Sequence, residues 1–193
     1  MKNSTVKEII IPAISLFLIC LVATALLGFT NQITAPKIEQ LAIETENNAK
    51  KEVISDAADF SDRMTATLDE TEYSYYEGLD SDKNVIGYVF TTSAKGYGGD
   101  IKVMVGVDKS GSVTGVSILE ISETAGLGMN AKNESFLKQF LSKNGEISVI
   151  KNGTPADNEI SALTGATITS KAMAKAVNTA LALYEQVGGE SNG

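Results

Sequence analysis

The feature that most constrains this chain is the uncharged stretch at residues 9–29, IIIPAISLFLICLVATALLGF. As a helix rising about 1.5 Å per residue, it is long enough to cross a hydrocarbon core of roughly 30 Å. No charge has to be desolvated along the way, so the stretch is expected to be one transmembrane helix. A cleaved signal peptide is the competing expectation. Such peptides have apolar cores of about 7 to 15 residues followed by a small-residue cleavage site. Ala23-Thr24-Ala25 weakly resembles such a site, but Leu26, Leu27 and Phe29 carry the apolar run beyond it. Cys20 follows Leu18-Ile19 without the small residue expected before a lipidated cysteine, so it is assigned as an apolar helix residue. Lys2 and Lys7 precede the span, whereas only Lys37 follows it through Glu44. By the positive-inside tendency residues 1–8 are expected in the cytoplasm, with the bulk of the chain outside.

With 43% hydrophobic and 21% charged residues, the rest of the chain has the composition of a globular domain. The formal net charge is −8, and no basic cluster exceeds Lys50-Lys51, so a nucleic-acid partner is not expected. Histidine is absent and Cys20 is the lone cysteine. Ser-His-Asp and Cys-His catalysis, histidine-ligated haem, cysteine-ligated iron-sulfur clusters and ordinary zinc sites all need residues missing here. No metal site is expected. Any redox chemistry must use an organic cofactor or a partner's metals.

Beyond the span, residues 30–54 favour a membrane-proximal helix or stalk, with apolar Ile38, Leu41, Ile43 and Val53 and with Pro36 near its start. Residues 55–81 are acidic and polar and are expected as loops with one edge strand. Val85 opens a β-rich run that ends at the turn Lys95-Gly96-Tyr97-Gly98-Gly99. Ile101, Val103, Val105 and Val107 then alternate with Lys102, Met104 and Gly106. The turn Asp108-Lys109-Ser110-Gly111 and a strand at 113–121 complete a hairpin. Phe136, Leu137, Phe140 and Leu141 predict a helix over 134–143, and 147–150 a short strand. Ala172, Ala176, Val177, Ala180, Leu183, Tyr184 and Val187 mark one face of a terminal helix, followed by a flexible tail at 188–193. The expected fold is α+β, a mainly antiparallel sheet with packed helices.

Two segments at element ends are the candidates for chemistry. In Thr164-Gly165-Ala166-Thr167, small residues leave the backbone uncluttered just before a helix whose N-terminus favours an anion, and Thr169 or Ser170 is placed to cap it. In Glu123-Thr124-Ala125-Gly126-Leu127-Gly128, two glycines follow a strand. From spacing alone, a turn with an N-cap and a strand-ending turn account for these segments better than a ligand site does.

In order along the chain stand the span, Asn31-Gln32-Ile33-Thr34-Ala35-Pro36, Gly96-Tyr97-Gly98-Gly99, Val103-Met104-Val105-Gly106-Val107 and the two segments above. Together they closely resemble the FMN-binding G subunit of Rnf ion-translocating oxidoreductases, and the related C subunit of sodium-translocating NADH:quinone reductases. The resemblance covers nearly the whole chain and marks 55–187 as an FMN-binding domain. It implies that Thr167 receives FMN from FAD through a magnesium-dependent flavin transferase, forming a phosphoester. It also implies cofactor contacts from Glu123, Thr124, Gly126, Leu127 and Gly128, and from Thr164, Gly165 and Ala166. Ser170 and Lys171, in the first turn of the terminal helix, complete the expected set, Lys171 as a neutralising charge for the phosphate. Two positions depart from the family pattern: Ser161 stands where relatives usually have aspartate, and Ala125 where they commonly have proline.

The implied function is that of an electron relay within a membrane complex coupling ferredoxin and NAD chemistry to sodium or proton movement. Substrate catalysis by the chain alone is not expected, and the partners would be the other membrane subunits. Two alternatives belong to other classes. One is a membrane-anchored structural or regulatory module that lacks the flavin, consistent with Ser161; the other is a stand-alone extracytoplasmic FMN-dependent reductase.

Overall fold

The structure is a computed structural model that describes residues 2–188, with side chains described from Lys7 onward. Of the tail expected at 188–193, Gly188 is buried and donates its N–H to the carbonyl of Tyr184 at 2.7 Å, and 189–193 lie outside the described residues. The chain divides into two compact units, Met1–Glu44 and Thr45–Gly193.

The first unit is helical throughout its described length, within α1 (Lys2–Val53). Among the described residues α1 is the one helix long and apolar enough to cross a membrane. Ile9, Phe17, Leu18, Ile19, Leu27 and Phe29 are all exposed. The stalk expected at 30–54 is not a separate helix. Pro36 and Pro12 both sit inside α1. A proline removes one backbone donor, at Pro36 the one that would bond the carbonyl of Gln32, and here the helix continues through it.

The second unit is built on an antiparallel sheet of β1 (Asp59–Phe60), β2 (Met64–Leu68), β3 (Thr71–Leu79), β4 (Val85–Lys95), β5 (Asp100–Asp108) and β6 (Val113–Glu120). Its order is β1-β3-β4-β5-β6, with β2 also pairing β3. The stretch expected as loops with one edge strand, 55–81, therefore contains the whole of β1, β2 and β3. Two further strands, β7 (Ser148–Ile150) and β8 (Glu159–Ser161), pair in parallel as a separate ribbon. The helix expected over 134–143 is shorter: α2 (Glu134–Leu137) passes into a 3₁₀ turn at Lys138–Phe140. Phe136 and Phe140 meet edge to face, 5.6 Å between centroids, so burial of this pair does not require a full α-helix.

Helix α3 (Thr167–Val187) packs on β4 and β5. One face of the sheet contributes Phe90, Ile101, Val103, Val105 and Val107 to a core completed by Met173, Val177 and Leu183 of α3. The Thr92 hydroxyl, buried under α3, donates to the carbonyl of Ala176 at 2.9 Å. The opposite face carries Tyr76, Val89 and Met104 against Ala49 and Val53 from the last turns of α1. Strand β5, between β4 and β6, is therefore covered on both sides, which explains why its alternating residues Met104 and Gly106 are buried along with the valines. This arrangement brings the turn after β4, the loop after β6 and the start of α3 to one end of the sheet.

Candidate functional site

Those three segments enclose a cavity of about 610 Å³, within the range of small-molecule and cofactor sites. Glu123, Thr124, Leu127 and Gly128 line it from the loop after β6, and Gly165, Ala166 and Thr167 from the start of α3. Gly165 has φ +74°, a left-handed conformation that glycine adopts without strain, and the chain turns there into α3. Thr167, the first residue of the helix, is half-buried and lines the cavity.

The N-terminus of α3 lacks a side-chain cap, because its capping position is Ala166. Thr169 and Ser170, the expected caps, lie inside the first turn, and the first intrahelical bond runs from Ser170 N–H to Ala166 C=O at 3.0 Å. The preceding N–H groups of Thr167, Ile168 and Thr169 are the helix's free donors, and they concentrate the positive end of its dipole beside the Thr167 hydroxyl.

Four other expected contacts lie off the cavity. Gly126 is exposed at the loop's apex, its carbonyl accepting from Asn130 Nδ2 at 2.9 Å. Thr164 is exposed in the turn before the helix. The Ser170 hydroxyl is fully buried and committed, donating to Ala166 C=O at 3.0 Å and accepting Leu163 N–H at 2.9 Å. Lys171 lines a separate groove with Lys175 and Asp69. Conversely, Tyr97, Ile168 and Thr169 line the cavity. Tyr97 and Ile168 belong to its exposed rim, at 73% and 54%, together with Leu127 at 43%. Glycines flanking Tyr97 marked its turn in the sequence, but nothing local showed that the turn folds onto residues 123 and 169.

Free backbone donors at one side and uncovered apolar side chains at the rim suit a ligand with an anionic end and a flat apolar body. No group of acidic and cysteine side chains able to hold a metal occurs among the described residues. Residues 96–182 match the FMN-binding domain family, and residues 1–53 match the RnfG N-terminal region. Over 187 residues the chain is 35% identical to the G subunit of the Na(+)-translocating ferredoxin:NAD(+) oxidoreductase complex of Acetobacterium woodii, covering 89% of each. The chain belongs to the RnfG family. A second relative, the G subunit of the ion-translocating oxidoreductase complex of Methanosarcina acetivorans, is 33% identical over 180 residues, covering 91% of this chain and 94% of that one. The crystal structure of Shewanella oneidensis NqrC superposes with a TM-score of 0.54 at 18% identity, covering 70% of each chain, and so shares the fold of this RnfG protein.

Proposed function

We propose that this RnfG protein carries one FMN, joined through its phosphate to Oγ1 of Thr167, and relays electrons in a membrane-bound, ion-translocating ferredoxin:NAD oxidoreductase of the Rnf type. The observation that carries the proposal is that Thr167, a hydroxyl-bearing residue, lines the cavity at the uncapped N-terminus of α3. In the attachment step, Thr167 Oγ1 forms a bond to the FMN phosphorus of FAD. The pyrophosphate bond breaks, AMP leaves, and the hydroxyl proton passes to solvent or to the transferase. The linked phosphate keeps one negative charge, which the free N–H groups of Thr167, Ile168 and Thr169 are positioned to neutralise. Thr124, Leu127, Gly128 and Gly165 would line the cofactor, and Tyr97 and Ile168 would limit water at its edge.

FMN supplies one- and two-electron redox capacity, while the protein contributes orientation and electrostatics. The lack of histidine and the single Cys20 leave the chain no ligands for a histidine-ligated haem or a cysteine-ligated iron-sulfur cluster of its own. Donor and acceptor would be other subunits of the complex, and a flavin transferase would act once, during maturation. Helix α1 anchors the chain, with the N-terminus in the cytoplasm and the flavin domain outside. Fusions of alkaline phosphatase, active only outside the cytoplasm, test this orientation: a C-terminal fusion is expected to be active.

For the attachment, the full chain is co-produced with a flavin transferase, denatured and separated on a gel. Wild type is expected to fluoresce and Thr167→Ala to be dark. A fluorescent Thr167→Ala band would move the bond to another hydroxyl, while a dark wild-type band would sink the covalent proposal.

A further inference from the structure

Glu123 turns its side chain toward the protein. Its Oε1 accepts the N–H of Tyr97 at 2.7 Å and the N–H of Gly98 at 3.3 Å, while Oε2 accepts the hydroxyl of Thr169 at 3.1 Å. One carboxylate thus connects the turn between β4 and β5, its own loop and the first turn of α3, the three segments that wall the cavity. All three donors are neutral, and neither ion pair among the described residues involves Glu123. An ionised carboxylate offers about four acceptor positions, so most of its capacity is already used within the chain.

Two glycines leave room for this carboxylate. A Cβ at Gly128 would stand 2.6 Å from Oε2 and 2.6 Å from Thr169 Oγ1, and one at Gly96 would collide with Oε1. Any larger residue at either position would displace the Glu123 side chain or the backbone that carries it.

We propose that Glu123 is a positioning residue: its two acceptor oxygens clasp the Tyr97 turn and the start of α3 together, setting the cavity around Thr167, and its negative charge is not what the site requires. The consequence for flavin loading rests on the FMN proposal; the clasp itself belongs to the chain. Glutamine can reproduce the clasp. Its oxygen can accept from Tyr97 and Gly98, and its amide can donate to Thr169 Oγ1, because a hydroxyl both donates and accepts. Alanine leaves all three donors without that partner, and Thr169→Val removes one arm only.

The test uses the full chain in detergent and two readouts. In the flavin-free chain, amide hydrogen exchange at Tyr97 and Gly98 is expected to be similar in wild type and Glu123→Gln. In Glu123→Ala it should be about tenfold faster or more, as expected on losing a hydrogen bond to a charged acceptor. With a flavin transferase and FAD present, the initial rate of flavin attachment should fall by a similar factor in Glu123→Ala, fall less in Thr169→Val, and be largely retained in Glu123→Gln. If Glu123→Gln matches Glu123→Ala in both readouts, charge is the requirement and the proposal is overturned. Equal exchange in wild type and Glu123→Ala would also overturn it, since no clasp would then exist. Should Glu123→Ala fail to fold, Thr169→Val decides: attachment as fast as in wild type contradicts the clasp. If exchange follows the expected order but even wild type takes no flavin, the clasp stands and the FMN proposal fails.

Discussion

At the scale of single residues, the site depends on how little space surrounds the carboxylate of Glu123. Gly128→Ala places a methyl carbon 2.6 Å from two oxygens that are themselves hydrogen-bonded. Relief requires moving the loop after β6 or the first turn of α3, and overpacking of this kind typically costs about 1–3 kcal/mol. Denaturant unfolding of the second unit should show a loss of that size, together with slower flavin attachment. Gly126→Ala is not an equivalent control, because Gly126 has φ +75° and would be strained although nothing stands near it. Of the expected site residues, Glu123, Thr124, Leu127, Gly128, Gly165, Ala166 and Thr167 line the cavity, and the sequence groups them because each segment is contiguous. Tyr97 was not, since its link to the site is a bond to a side chain 26 residues away. Ser170 and Lys171 were placed by adjacency to the motif, yet the helix turns one inward to the Ala166 carbonyl and sets the other on a separate groove.

At the scale of elements, the sheet separates a large core under α3 from a smaller one under the end of α1. In the smaller core Tyr76 is buried and donates its hydroxyl to Glu46, with Lys50 Nζ 4.2 Å from its ring centroid. Burial, then the bond to Glu46 and its charge, push the Tyr76 phenol up to about 12, against a smaller opposing effect of Arg63. Because the folded value lies above the unfolded one of about 10, the neutral phenol's contribution is fully present below pH ~10. It is lost as pH rises through about 12. In a spectrophotometric titration of tyrosinate, burial raises Tyr75 and Tyr184 as well, so Tyr76→Phe should remove one tyrosine's share of the late ionisation; an unchanged curve would contradict the buried bond. The strands β4, β5 and β6 were legible because their β-branched residues alternate between short turns. Strands β1 and β2 were not: their residues are half-buried or exposed, and the turn joining β2 to β3 uses Asp69 and Glu70 at positive φ, without glycine. The helix expected over 134–143 was overlong because four apolar residues at helical spacing do not show where an α-helix gives way to a 3₁₀ turn, here after Leu137.

At the scale of the whole molecule, a chain of 193 residues joins an apolar helix to one compact α+β unit. The apolar run was readable from composition alone, whereas the continuity of α1 through Pro36 was not, since proline is ordinarily a sign of a helix boundary. If α1 anchors the chain, Leu18→Arg should weaken insertion, since arginine near a span's centre costs about 2.5–3.5 kcal/mol on the insertion scale. Alkaline extraction of membranes should then release more of the variant than of wild type; equal retention would argue against a span at 9–29.

Intact mass of the denatured full chain, produced with a flavin transferase and followed by peptide mapping, separates a flavinylated relay from a bare membrane module. The expected result is one added FMN less one water, located on the peptide containing Thr167 and absent from Thr167→Ala. An unmodified wild-type mass under those conditions, or the same addition on a peptide without Thr167, would contradict it.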